Sequence, residues 1–377
     1  MGSSPAKPEF NTHLADETVE AGADVILRCK VNTEAVTVTW KKNNQKLSCV
    51  QGKHTVKQIG TSLSLEISKA EEGDEGKYTV DVTNSSGSDS CSAMVVVVLK
   101  KWREMPPQQD ILVKSLKNFK ICKDVTELRF LLHGPVGAGK SSIINTIKSI
   151  FENRPFLNCL ASSGSSTSFT LHYQKFTVGS EHTGLLPFVF YDVMGLEEDE
   201  QKGEKKGMHT DDIISALKGH IPEGYKFQPY PMTDDNKTYI SSPTLNDKIH
   251  CLVSVVPADN IKLMANNVID KMKIVRKAAS ECGIPQMVFM TRVDLICPMT
   301  KNDISKLYQS KKIKEKVQEC SYRLGVPENC IFLVKNYHNE IELNEQINCL
   351  MLAAFKQAVF SANDYVERCG AKQKHFE

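Results

Sequence analysis

The chain contains no run of about twenty consecutive apolar residues, the length a membrane-spanning helix needs. Its longest apolar stretch, Met94–Leu99, is strand-sized. Neither sign of charge prevails: 47 Lys and Arg stand against 45 Asp and Glu, a net charge of +2. The lysines fall in scattered pairs with no dense basic arm, so nucleic acid has no electrostatic footprint to bind. Cysteine is plentiful, with twelve residues, yet there is no C-x-x-C pair and no Cys/His ligand spacing. That excludes the usual structural zinc patterns and points to reduced thiols. The first residues lack the apolar core of a secretory leader. After Met1-Gly2, Ala6 stands where a myristoylation signal wants Ser or Thr. The expectation is a cytoplasmic protein with no membrane span and no nucleic-acid partner. At 377 residues the chain exceeds one ordinary core, and two or three domains are expected.

Residues 8–99 alternate short β-rich runs with turn residues, with no helical stretch between them. Asp24–Cys29, Val36–Trp40, Ser62–Ile67 and Lys77–Val82 are such runs, a spacing that predicts a β-sandwich. The interval from Cys29 to Trp40 places an indole in the core, and Asp74-x-Gly76-x-Tyr78 spells a tyrosine corner. Together these residues resemble an immunoglobulin domain of the intermediate type found in muscle and adhesion proteins. Val80 stands where the second sandwich cysteine belongs, two residues after Tyr78. A sandwich without its inter-sheet disulfide suits a reducing compartment. Asn84-Ser85-Ser86 then reads as a hairpin turn ending at Gly87 rather than a glycosylation site.

Residues 100–126, with Trp102, Pro106-Pro107 and an amphipathic stretch from Ile111 to Phe119, read as a linker with a bridging helix. From 127 to 365 the periodicity changes. Leu186–Tyr191, His250–Val256, Gln286–Met290 and Ile331–Val334 are short apolar runs typical of parallel strands covered on both faces. Between and after them, Met264, Val268, Ile269, Met272, Val275 and Ala279, then Leu343, Ile347, Leu350, Met351, Ala354, Phe355 and Ala358, follow helical spacing. The expected architecture is a doubly wound, mostly parallel α/β domain of the P-loop NTPase class, with residues 366–377 as a tail.

Gly134-Pro135-Val136-Gly137-Ala138-Gly139-Lys140-Ser141 matches the phosphate loop G-x-x-x-x-G-K-[ST] without a gap. Backbone N–H groups hold phosphate oxygens best where no Cβ blocks them, and the helix that follows turns its positive end to the anion. Gly134, Val136, Gly137, Ala138, Gly139, Lys140, Ser141 and Ser142 are the candidate phosphate-binding residues. Lys140 would reach the β- and γ-phosphates and Ser141 the Mg²⁺ ion. Asp192-Val193-Met194-Gly195, after an apolar strand, reads as the GTPase D-x-x-G: Asp192 for the Mg²⁺ shell, Gly195 for the γ-phosphate. Thr291-Arg292-Val293-Asp294 resembles the [NT]-K-x-D guanine motif, with Arg in place of Lys and Asp294 accepting from the base. A Mg²⁺-binding switch threonine falls within Ser162–Ser168; Thr167 is the candidate and Thr170 the alternative. After Ile331–Val334 an S-A-K loop is expected, but Lys335-Asn336-Tyr337 does not match it. Leu196 replaces the glutamine that orients the attacking water, so hydrolysis is expected to be slow unless self-association or a partner supplies the group.

From Trp102 to the C-terminal helix the wording resembles the interferon-induced protein 44 family. The residues that carry it are Gly134–Ser142, Leu186-Pro187-Phe188 before Asp192-x-x-Gly195-Leu196, Ser241–Cys251, and Thr291-x-Val293-Asp294. The resemblance implies a cytoplasmic, interferon-induced protein of vertebrate innate and antiviral immunity that binds GTP or GDP with Mg²⁺. Three readings stand: a guanine-nucleotide switch with slow or stimulated hydrolysis, a pseudo-GTPase scaffold, and an adenine-nucleotide enzyme. Protein partners are expected through the immunoglobulin-like domain and the 197–248 segment, which also reads as a plain insertion. A nucleotide-dependent homodimer is a further expectation.

Overall fold

The computed structural model describes residues 6–156, 172–180, 182, 184–197, 209–228 and 230–373. The chain divides into two compact units. One holds the residues up to Arg103 with Tyr308–Lys311, the other Glu104–Leu307 and the chain from Lys312 onward.

The first unit is a two-sheet sandwich of β1 (Phe10–Thr12), β2 (Glu17–Glu20), β3 (Val25–Val31), β4 (Thr37–Lys42), β5 (Gln45–Lys46), β6 (His54–Ile59), β7 (Ser62–Ile67), β8 (Gly76–Asn84) and β9 (Gly87–Val98). One sheet runs β1-β3-β7-β6, the other β2-β9-β8-β4-β5. Along β3 and β7 every second side chain is buried, the period-2 pattern of a half-covered strand. Trp40, Tyr78 and Val80 lie in the core, and the Tyr78 hydroxyl donates to the Asp74 carbonyl at 3.0 Å, closing the tyrosine corner. Asn84 pairs with Gly87 across the hairpin turn. Cys29 is a free, buried thiol, as expected from Val80. It hydrogen-bonds instead to Cys91 of β9, which with burial pushes the Cys29 thiol well up.

The second unit is an α/β fold. It contains α1 (Gln109–Lys117), β10 (Leu128–His133), α2 (Lys140–Glu152), β11 (Gln174–Val178), β12 (Leu186–Asp192), α3 (Thr210–Lys218), β13 (Cys251–Pro257), α4 (Asn266–Glu281), β14 (Gln286–Thr291), α5 (Pro298–Asn302), α6 (Lys311–Leu324), β15 (Ile331–Leu333) and α7 (Glu345–Gln373). The sheet order is β11-β12-β10-β13-β14-β15, all parallel except β11. The chain leaves β10 toward β12 and then returns past it to β13. Right-handed crossovers therefore put α2 and α3 on opposite faces, and the loops after β10, β12, β13, β14 and β15 gather at one end of the sheet. Phe355 of α7 packs against Phe130, Phe188 and Phe190.

Two expectations of extent are corrected. α1 is no linker helix: Leu112 and Leu116 are buried and the helix packs on α7. The segment from 366 is no tail as far as Gln373, because the α7 stripe continues through the buried Ala362, Tyr365 and Val366.

Candidate functional site

β10 is buried along nearly its whole length and drives into the glycine loop from the sheet's centre. At Gly134, with φ of 150°, a Cβ would lie 2.2 Å from the Val255 carbonyl of neighbouring β13, so no other residue fits. Gly137 and Gly139 then take left-handed φ values of 70° and 93° to swing the chain into α2. The N–H groups of Gly137, Gly139, Lys140 and Ser141 donate to no described protein acceptor. They lie at the positive end of α2, the end of a helix that favours an anion. Lys140 is buried and donates to the Gly134 and Pro135 carbonyls at 3.3 and 3.2 Å. Burial lowers its pKa, while nearby Asp192 works to raise it. Beneath the loop, His133 is buried against the Ser254 hydroxyl at 2.7 Å, and burial with the charges of Lys140 and Arg276 pushes it down to about 3.

Asp192 closes β12 and accepts from the Ser141 hydroxyl at 2.5 Å. The backbone beyond it lies directly on the loop: Leu196 N–H donates to the Gly134 carbonyl at 3.0 Å, and Val136 N–H to the Leu196 carbonyl at 3.3 Å. Gly195 permits this approach, since a Cβ there would sit 2.5 Å from Val136 Cγ2 and 2.7 Å from its Cα. Leu196 is 1% exposed and belongs to the buried core.

The opposite wall comes from β14 and β15. Thr291 is buried and donates to the Ala138 carbonyl at 2.7 Å, tying the strand end to the loop. Arg292 is left-handed, its guanidinium donating to the Gly137 carbonyl and pairing with Asp259 at 3.4 Å. The substitution of Arg for Lys thus gives the motif a second anchor. Asp294 follows in a single 3₁₀ turn. Facing it, Lys335–Glu340 forms the wall where an S-A-K loop was expected. Asn336 Nδ2 donates to the Gly139 carbonyl at 3.2 Å, and Tyr337 N–H to Thr146 Oγ1 at 3.2 Å. The walls enclose a cavity of about 420 Å³, lined by Gly137, Ala138, Gly139, Ser142, Arg292, Asp294 and the 335–340 loop, a size suited to a small ligand.

The structure therefore brings Gly134, Val136, Lys140, Ser141, Asp192, Gly195 and Thr291 together around the loop, beside the six motif residues of the cavity wall. Thr167 and Thr170 lie outside the described residues. Sequence reasoning missed Asp259 and, having placed the last loop at Lys335-Asn336-Tyr337, assigned it no site residue; the one available signal for both was position, each directly after a parallel strand. The described part of the 197–248 segment is mixed: Ile213, Leu217, Ile221, Phe227, Met232 and Leu245 are buried, whereas Tyr230 and residues 233–238 are exposed. The buried side chains belong to the unit's own interior, and the exposed stretch remains open to either a partner surface or a plain insertion. Among the described residues no helix is long and apolar enough to cross a membrane.

The family model of the immunoglobulin I-set domain matches residues 8–97. The chain is 31% identical to mouse (Mus musculus) interferon-induced protein 44 over 271 residues, covering 71% of this chain and 63% of that protein. It is 33% identical to human (Homo sapiens) interferon-induced protein 44-like over 259 residues, covering 68% of this chain and 56% of that one. It thus spans less than two thirds of either relative. Chicken (Gallus gallus) fast-type myosin-binding protein C is 36% identical over 100 residues, 26% of this chain and 8% of that protein.

Proposed function

We propose that this chain, a homologue of the interferon-induced protein 44 proteins joined to an I-set domain, is a cytoplasmic, interferon-induced guanine-nucleotide-binding protein of antiviral defence. In this reading the second unit is a P-loop NTPase fold that takes GTP or GDP with Mg²⁺. One observation carries it: four backbone N–H groups with no acceptor among the described residues and a buried ammonium lie around one helix N-terminus. A polyanion fits them together, and phosphate oxygens do so with the geometry of such loops. Ser141 and Asp192, already in contact, would hold Mg²⁺, which when bound neutralises phosphate charge.

Asp294 supports guanine over adenine. A carboxylate accepts from the N1–H and 2-amino groups of guanine, whereas adenine presents a lone pair at N1. The Arg292 stem, held by Gly137 and Asp259, lies where it can cover the face of the base. Leu196, buried and without polar atoms, can orient no water, so hydrolysis is slow unless a partner or second copy completes the site. That observation equally favours the second reading, a scaffold that binds nucleotide without significant turnover. The I-set domain is assigned to protein contacts. The described cysteines are all free thiols, which supports a reducing compartment.

The test is titration of the full chain with fluorescent GTP and ATP analogues in Mg²⁺, beside Lys140→Ala and Asp294→Ala. The reading expects micromolar GTP binding that Lys140→Ala abolishes and a preference over ATP that Asp294→Ala abolishes. GTP preference surviving Asp294→Ala would sink the guanine assignment; a folded wild type that binds neither nucleotide would sink the whole.

A further inference from the structure

We propose that Lys335, outside every nucleotide motif of the sequence, reads the 6-oxygen of guanine, and that Glu340 positions it. This rests on the guanine reading above. The Watson–Crick edge of guanine presents an acceptor and two donors in a row: O6, N1–H and the 2-amino group. Asp294 can accept from the two donors, but it leaves the neighbouring O6 in need of a donor. Where an S-A-K loop would bring a backbone N–H, this chain brings an ammonium. Lys335 Nζ lies 3.5 Å from Asp294 Oδ2, and both side chains line the same cavity at 22% and 21% exposure. A cation beside a carboxylate is thus complementary to the O6/N1–H pair. It is anti-complementary to adenine, whose 6-amino group would face the ammonium and whose N1 lone pair would face the carboxylate.

Glu340 keeps the ammonium in place. Its Oε1 takes Lys335 at 2.9 Å, while Oε2 accepts the His338 and Asn339 N–H groups at 2.8 and 3.2 Å. Anchored by its own loop, Glu340 cannot follow Lys335 if the latter is drawn away. Burial disfavours both charges, yet the surrounding partners together outweigh it: Glu340 and Asp294 hold Lys335 above its ordinary value, and the His338 N–H with Lys335 brings Glu340 down to about 2. The donor therefore stays protonated at neutral pH. The competing account is that Lys335 merely neutralises Asp294.

The two are separated by measuring Kd of the full-length wild type, Lys335→Met and Glu340→Gln for Mg²⁺ complexes of GTP, 6-thio-GTP and ITP. Circular dichroism and melting curves serve as the check on folding. 6-Thio-GTP alters only the 6-position, keeping N1–H and the 2-amino group; ITP lacks only the 2-amino group and reports on Asp294. The wild type is expected to prefer GTP over 6-thio-GTP by at least about tenfold. Lys335→Met should bind GTP ~10- to 100-fold more weakly, lose that preference and keep the wild-type GTP/ITP ratio. Glu340→Gln should show a smaller loss of the same preference. A Lys335→Met chain that retains the GTP/6-thio-GTP ratio, or binds GTP more tightly once Asp294 is released, overturns the proposal while leaving the guanine reading intact. No GTP binding by the folded wild type overturns both.

Discussion

Replacing Lys140 by methionine should separate binding from stability in a direction opposite to intuition. In the ligand-free fold Lys140 is a buried cation whose hydrogen bonds go to the neutral carbonyls of Gly134 and Pro135. Desolvating an ammonium costs several kcal/mol, and two bonds of about 1.5–3 kcal/mol each offset it. The two terms nearly cancel. A methionine of similar length removes both and leaves an apolar side chain in a buried slot, so the free variant should melt within a few degrees of the wild type. The nucleotide-bound state behaves differently. At a GTP concentration one hundred times Kd, the wild type gains about 2.7 kcal/mol by mass action. For a unit of this size that is a rise in Tm of roughly 5–10 °C. Lys140→Met, with the phosphate charge unmatched, should show no rise. The assay is a thermal melt of the full chain with and without Mg²⁺-GTP, with Mg²⁺ alone as control. An equal GTP-induced shift in Lys140→Met would refute the assignment of Lys140 to phosphate. A free variant melting ten degrees lower would refute the balance of terms.

Restoring glutamine at Leu196 should not restore hydrolysis, because that side chain lies in the core; the buried amide should cost ~1–3 kcal/mol, and a rise in GTP turnover would contradict this burial. Tyr78→Phe removes the buried donor to the Asp74 carbonyl and should destabilise the sandwich by ~1–2 kcal/mol. Denaturant unfolding followed by Trp40 fluorescence checks it, and an unchanged midpoint would count against the tyrosine corner. The second unit should lose stability as pH falls from 6.5 to about 3. Burial holds His133 and His250 neutral, down to about 3 and about 4 against an ordinary 6.5. The unfolded chain therefore binds protons there that the folded chain refuses, and stability is complete above pH 6.5 and falls as pH drops. His250 accepts the Arg129 N–H on Nδ1 and donates from Nε2 to the Leu245 carbonyl, so only its neutral form satisfies both. His250→Gln should flatten the acid limb of the melting profile; an unaltered slope would argue against the role.

Local rules made much of the chain legible. The period-2 runs, the Cys29–Trp40 interval and the Asp74–Tyr78 corner define a sandwich because alternation and one hydrogen-bonded turn suffice to orient its strands. The glycine loop was equally readable, since glycine alone fits against Val255 at Gly134 and glycine is the favoured residue at the left-handed Gly137 and Gly139. What escaped were features whose partners lie far away in sequence. The length of α7 was underestimated because its last turns are held by tertiary burial of Tyr365 and Val366, not by a terminal signal.

By itself, then, the sequence determined the two kinds of core, the glycine loop before α2 and the acidic residue Asp294 after β14, all properties of short segments with fixed periodicity or forced dihedrals. Tertiary structure alone decided that Leu196 is buried, that Arg292 anchors on Gly137 and Asp259, and that Lys335 stands beside Asp294. Each of these depends on the order β12-β10-β13-β14-β15, which brings the ends of strands distant in sequence to one edge of the sheet. Strand order is set by the packing of whole faces, and no local motif encodes it.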